Sequence, residues 1–107
     1  PERPGLAPIA ATRRLLERRG IAATDLAQVE IMEAFAVQAM AFVAALELAP
    51  ALVNPLGGAL ARGHPIGASG AVLVVNLLHR LAPGRLGLAA IAAAGGLGSA
   101  LLVAAER

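Results

Sequence analysis

Residues 68–81, Ala-Ser-Gly-Ala-Val-Leu-Val-Val-Asn-Leu-Leu-His-Arg-Leu, most narrowly constrain how this chain can fold. They read as a helix. Ser69 lies near its start and Pro83-Gly84 closes it. Ala71, Val72, Leu73, Val74, Val75, Leu77, Leu78 and Leu81 cover nearly its whole circumference. A helix that is apolar all round is stable when it is covered all round. A chain of 107 residues makes one domain at most. Such a domain has little material for wrapping a helix on every side. Part of the cover is therefore expected from outside the chain.

The composition narrows the function classes. Hydrophobic residues make up 58% and charged residues 15%, with a net charge of +2. A chain this apolar must bury surface, so disorder is excluded. Cysteine is absent, which rules out a disulfide framework, a thiolate zinc site and a cysteine nucleophile within the chain; no metal is expected. Phe35 and Phe42 are the only aromatics, so a base-stacking surface has almost nothing to work with and no nucleic-acid partner is expected. The nine positive residues are all arginine, and seven carboxylates oppose them, so the high pI of 11.1 does not describe a dense positive patch. Arg13-Arg14 and Arg18-Arg19 read as a solvated helix face. No secretory signal precedes the first helix, and the cytoplasm is the expected compartment. The whole of 1–107 is expected to form one domain, with 1–6 as a flexible start.

Ala7 to Gly20 reads as a helix. Pro8 suits its first turn, Ile9, Thr12, Leu15 and Leu16 share a face, and Gly20 suits a left-handed C-cap. Thr24 and Asp25 open a turn, and Val29 and Ile31 belong to a short strand. Glu33 to Glu47 is a second helix, with Phe35, Ala39, Phe42 and Leu46 along one apolar face that Met40 and Val43 widen. From Val53 to Gly70, breakers crowd in a density that forbids regular structure. Leu56, Leu60 and Ile66 sit among them, so this is a packed loop and not a linker. Leu86 to Ala94 and Ser99 to Ala105 read as two strands of a glycine-loop hairpin, continuously apolar as in a sheet covered on both faces. The uncharged run 86–105 is also long enough to span a bilayer, but its central glycines favour a soluble hairpin, and no membrane is expected.

Four segments, in this order, resemble the C-terminal half of thiolases: Met32-Glu33-Ala34-Phe35; Val53-Asn54-Pro55-Leu56-Gly57-Gly58; Gly63-His64-Pro65-Ile66-Gly67-Ala68-Ser69-Gly70; and Ala92-Ala93-Ala94-Gly95-Gly96-Leu97-Gly98. The resemblance implies an α/β fold, a thiolase-like half in which a mixed β-sheet carries a buried central helix, Ala68–Leu81, and covering helices. It implies a Claisen condensation of acyl-CoA thioesters, or its reverse, with acyl-CoA as substrate and no resident cofactor. The cysteine nucleophile of the family lies outside this chain. His64 takes the role of polarising that cysteine and helping to bind the thioester oxygen; a neutral imidazole can accept a thiol proton. Gly95, Gly96 and Gly98 stand where loop amides stabilise an enolate or oxyanion, and Phe35 stands where the CoA chain passes.

The pattern departs from the family at the reacting positions. Ala92 occupies the place of the second cysteine, the acid/base on the substrate α-carbon. Met32 replaces the asparagine that holds an oxyanion-hole water. Leu56 replaces a second asparagine, and Ala94 the first glycine of the last loop. The resemblance therefore implies a domain that is inactive alone and acts as half or subunit of a larger assembly, as a homo-oligomer or with a thiolase N-terminal half. Other readings stay open: a non-catalytic oligomerisation domain with an open sheet edge, a small membrane hairpin, and an altered lyase using enolate stabilisation. Residue by residue, plainer roles also stand. His64 reads equally as a structural histidine, Glu33 as a first-turn carboxylate, Ser69 as a helix cap, His79 as a surface residue of the last turn, and Phe35 and Phe42 as core.

Overall fold

The computed structural model describes residues 4–93 and 96–106. Three strands form one sheet: β1 (Leu26–Ile31), β2 (Leu86–Ala93) and β3 (Leu97–Ala104), in the order β1-β2-β3. β1 pairs with β2 in parallel and β2 with β3 antiparallel, so the sheet is mixed, as expected. Helices α1 (Ala7–Arg19) and α2 (Ala36–Ala45) pack one face through Ile9, Leu16, Phe42 and Leu46, against Val29, Ile31, Leu88 and Ala90. Helix α4 (Ser69–Arg80) packs the other face through Leu73 and Leu77, with Leu81 just beyond it, against Met32 and Ala89. A single turn, α3 (Ala59–Arg62), precedes α4. Pro4–Leu6, expected to be flexible, form a 3-10 turn, and Leu6 packs on the α1 side of the core.

Local sequence accounts for each element. Gly20 has φ 63°, a left-handed conformation that suits glycine, and Ile21 N–H closes the end of α1 on Leu16 O at 3.0 Å. α1 lies so close to β3 that a Cβ on Gly98 would come within 2.6 Å of the Ala7 carbonyl group. Thr12 is fully buried there, and its hydroxyl has no hydrogen-bond partner among the described residues. Strand β1 alternates: Val29 and Ile31 face the α1 side, whereas Gln28 and Glu30 face away from that core. Gln28 Nε2 donates to Glu30 Oε2 at 3.2 Å, and Asn76 Nδ2 of α4 donates to Glu30 Oε1 at 3.1 Å. Burial raises the pKa of the Glu30 carboxyl above its ordinary value; the two amide hydrogen bonds and the positive Arg62 and Arg80 oppose that rise.

Asn54 holds the glycine-rich loop to β1. Its Oδ1 accepts from Ile31 N–H at 2.8 Å and its Nδ2 donates to Ile31 O at 3.0 Å. Its own N–H donates to Val29 O at 2.9 Å. The side chain thus substitutes for a strand neighbour at the exposed edge of β1, and this asparagine tolerates the φ of 44° that the turn imposes.

Several sequence expectations are corrected. The second helix starts at Ala36, not Glu33, because Phe35 is extended, with φ −145° and ψ 149°. Phe35 (71% exposed) and Met40 (70%) therefore lie outside the apolar face, and Gln38 is buried instead, accepting from Ala34 N–H at 3.3 Å. The breaker-rich loop contains the helical turn α3. Strand β3 is covered on its second face only in part: Ala100 and Leu102 pack on the α1 side and Val103 on the α4 side, whereas Leu97 and Leu101 stand exposed. It lies at the sheet edge. The central helix is buried along one face only. Val72, Val75 and Leu78 are 39%, 48% and 53% exposed.

These contacts set three expected outcomes. Thr12→Val removes an orphaned hydroxyl at nearly constant shape and should stabilise the chain by about 1 kcal/mol in denaturant unfolding. Asn54→Ala leaves both backbone groups of Ile31 without their partner and should cost roughly 2–4 kcal/mol by the same measurement. Glu30 binds its proton more tightly folded than unfolded, so its contribution to stability should fall as pH rises from its ordinary 4.5 through the raised folded value. Glu30→Gln should flatten that part of the stability–pH curve.

Candidate functional site

The site region is built from the loop between Asn54 and α4. Gly58 is held tightly, since a Cβ there would overlap the Glu33 carboxylate and come within 2.7 Å of Asn54 Nδ2. The Glu33 carboxylate accepts from Leu60 N–H at 3.3 Å. It thus serves the first turn of α3 and not of α2, the helix for which the sequence suggested it. Arg62 Nη2 donates to Gly57 O at 2.5 Å and folds the turn back on itself.

His64 follows at Gly63, where φ is 90°. Pro65 O accepts from Ala68 N–H at 2.9 Å and Ser69 N–H at 3.0 Å, which winds the chain into α4. The Ser69 side chain is 5% exposed. Its Oγ lies 2.5 Å from His64 Nδ1 and donates to Pro65 O at 3.2 Å. Ser69 therefore does not cap α4 with its side chain, as the sequence suggested; α4 has no side-chain cap bond at its start. The hydroxyl holds the histidine. His64 itself is exposed.

Beside this turn lies a mostly apolar cavity of about 230 Å³, lined among others by Ile31, Met32, Arg62, Pro65, Ser69 and Leu73. Met32 and the loop that carries His64 thus border one cavity. The other described candidates do not line that cavity. Ala92, one residue before the end of β2, pairs with Gly98, and Gly98 packs against the start of α1. Gly96 makes the hairpin turn with φ 78°. Ala94 and Gly95 lie outside the described residues. Phe35 projects from the chain just before α2. His79 is exposed in the last turn of α4, as read from the sequence.

Chemically, the described residues near His64 offer one imidazole, one hydroxyl already engaged, and one guanidinium. They offer no thiol, since the chain has no cysteine. Around them the surface is oily: Leu60 is 58% and Ile66 84% exposed, continuous in sequence with the bare outer residues of α4. Among the described residues no helix is long and apolar enough to cross a membrane, and the uncharged run 86–105 forms most of the β2–β3 hairpin. The sequence reading missed the Asn54 bracket and the burial of Glu30. Asn54 sat in view as half of a breaker pair, but nothing local reveals that its amide would reach a strand.

Comparison with known proteins places this geometry. The family model described as "Thiolase, C-terminal domain" matches residues 1–105. The mitochondrial acetyl-CoA acetyltransferase of Mus musculus is 47% identical over 98 residues, covering 92% of this chain and 23% of that protein. The crystal structure of the Acat5 thiolase from Ascaris suum in complex with coenzyme A superposes with a TM-score of 0.89 at 48% identity, over 92% of this chain and 26% of that one. The peroxisomal 3-ketoacyl-CoA thiolase of Saccharomyces cerevisiae, described as a five-layered structure constructed from two core domains of identical topology, gives a TM-score of 0.92 at 37% identity, over 95% and 29%. The chain therefore spans about a quarter of the length of these relatives. By its matched family model and these relatives, the chain belongs to the thiolase family and carries that family's C-terminal domain.

Proposed function

We propose that this chain contributes the His64-bearing part of an acyl-CoA-handling site and is inactive by itself. The observation that supports this most is the continuity between the loop that holds His64 and an α4 face that is apolar yet uncovered at Val72, Val75 and Leu78. A site opening at that face is complete only when another domain or subunit lies across it. The partner would be the N-terminal part of a thiolase or a second copy of this chain. The ligand class follows the Ascaris relative, which was solved with coenzyme A. The cytoplasm is the proposed compartment.

The chemistry then divides between the two parts. Where the covering part is the N-terminal part of a thiolase, it supplies a thiol; a second copy of this chain, which has no cysteine, supplies cover alone. His64 takes the thiol proton, the thiolate attacks the acyl-CoA carbonyl while the imidazolium faces the oxygen that becomes negative, and collapse of the adduct breaks the carbon–sulfur bond to CoA, whose sulfur leaves with the proton from the imidazolium. The amides of Gly95, Gly96 and Gly98 are the proposed oxyanion donors, and Phe35 offers an apolar surface to the CoA arm. Ala92 carries only a methyl group and moves no proton, so the α-carbon step lacks the acid/base that the family places there. Met32 offers no hydrogen bond to a water. The assembled site should therefore favour acyl transfer to the thiol over carbon–carbon bond formation.

A second reading keeps the same surface and drops the chemistry: the chain is an oligomerisation module. The edge of β3 and the exposed Leu97 and Leu101 favour it. One assay separates the two. Acetyl-CoA and isotope-labelled CoA are given to the pure chain, and then to the chain mixed with the N-terminal part of a related thiolase, and turnover is followed as exchange of the label into acetyl-CoA. No turnover alone, and turnover in the mixture that His64→Ala lowers by about 10²–10⁴-fold, is the expected result. Turnover by this polypeptide alone contradicts the proposal, and an active mixture indifferent to His64→Ala favours the oligomerisation reading.

A further inference from the structure

The contact between His64 and Ser69 fixes more than a position. Neutral imidazole carries one N–H and one lone pair, and which nitrogen holds the proton is set by what the other ring atoms meet. Ser69 Oγ lies 2.5 Å from His64 Nδ1 and 3.2 Å from Pro65 O. The carbonyl oxygen of Pro65 can only accept, and the hydroxyl has a single proton. Both contacts are hydrogen bonds in one arrangement only: the hydroxyl donates to Pro65 O, and Nδ1–H donates to the hydroxyl. If the serine proton pointed at Nδ1 instead, two oxygens would face each other at 3.2 Å without a proton between them. The hydroxyl is buried, so water does not readily exchange the two arrangements.

We infer that Ser69 is a positioning residue that holds neutral His64 in the Nδ1–H form, leaving the Nε2 lone pair outward as a proton acceptor. This rests on the reading of His64 given above and orders its two roles. In the resting state the outward nitrogen cannot donate to a thioester oxygen. It must first take a proton: the S–H bond of the incoming thiol breaks, the Nε2–H bond forms, and the charge is carried as thiolate and imidazolium. Only then does Nε2–H become a donor for the carbonyl oxygen. Ser69 stays bonded to Pro65 O throughout, and its bond from Nδ1 strengthens as the ring becomes positive. No cysteine, carboxylate or second histidine is needed to set the tautomer, which suits a chain in which those groups are missing from the site.

The test is a long-range proton–nitrogen correlation spectrum of the 15N-labelled chain, recorded at about pH 9, above the range in which imidazoles are ordinarily protonated. His79, exposed and remote in sequence, is the internal reference. The expected pattern for His64 is a protonated Nδ1 and an unprotonated Nε2. Ser69→Ala should lose this single-form pattern, with the two nitrogen signals drawing together as in a freely exchanging ring. Ser69→Thr, which keeps the hydroxyl, should restore it. An Nε2–H form or an averaged pair in the unaltered chain overturns the inference without recourse to any variant. So does a pattern that survives Ser69→Ala in a chain whose amide spectrum remains folded. Because the spectrum needs no acyl-CoA, the tautomer and the acyl-CoA reading can fail separately: the expected pattern in a chain whose mixture shows no His64-dependent turnover would sink only the latter.

Discussion

Helix α4 has two apolar faces and the chain covers one. Leu77 and Leu81 lie so close to the sheet that a Cβ on Gly87 of β2 would come within 2.9 Å of both. Val72, Val75 and Leu78 on the other side meet no comparable layer. Each is already about half buried, so full cover would gain on the order of 1 kcal/mol apiece. That is too little to fold a domain but enough, summed over a helix and the neighbouring Ile66 and Leu60, to hold a second layer in place. The rest of the molecule is arranged around this helix. The sheet supports it from below, and the Glu30–Asn76 hydrogen bond fixes its position against β1. The loop that enters it is bracketed to β1 by Asn54 and presents His64 at its first turn.

The site has the same asymmetry as the helix. Under the proposed function, an imidazole held by Ser69 would supply one part of a thioester chemistry. The chain has no cysteine, and Met32 and Ala92, where the resemblance would place polar groups, are apolar. Met32 lines the cavity beside the histidine turn, where its thioether packs but cannot hold a water. Ala92 is held in the β2–β3 ladder, where a methyl group is no strain and no help. A chain that kept only packing would have no reason to bury a hydroxyl within 2.5 Å of the histidine.

Much of this was legible in the sequence because it is written in local rules. Gly20 after a helical face gives the C-cap, alternation at Val29 and Ile31 gives β1, and glycines between two apolar runs give the hairpin. The order of the four motifs gave the family. What failed depended on distance along the chain. Phe35 looked like the first residue of an apolar face, but the backbone is extended there and the ring points out. Glu33 looked like a cap for its own helix and serves Leu60, twenty-seven residues away. Ser69 looked like a helix cap because its type and position favour one, and it turned instead to a histidine that only the turn at Pro65 brings near. The one-sided burial of α4 was half foreseen: an all-round apolar helix signals missing cover, but sequence periodicity does not say which side is bare.

Hydrogen exchange of the isolated chain, resolved by residue, tests the incomplete-layer account most directly. With the chain shown to be monomeric, the amides of α4 should exchange much faster than those of β2, whose residues Leu88 and Ala90 are buried on a covered sheet. Protection in α4 should rise when a covering domain is added. Equal protection of α4 and β2 in a monomer would mean that the helix needs no second layer, and the account would be wrong at its root.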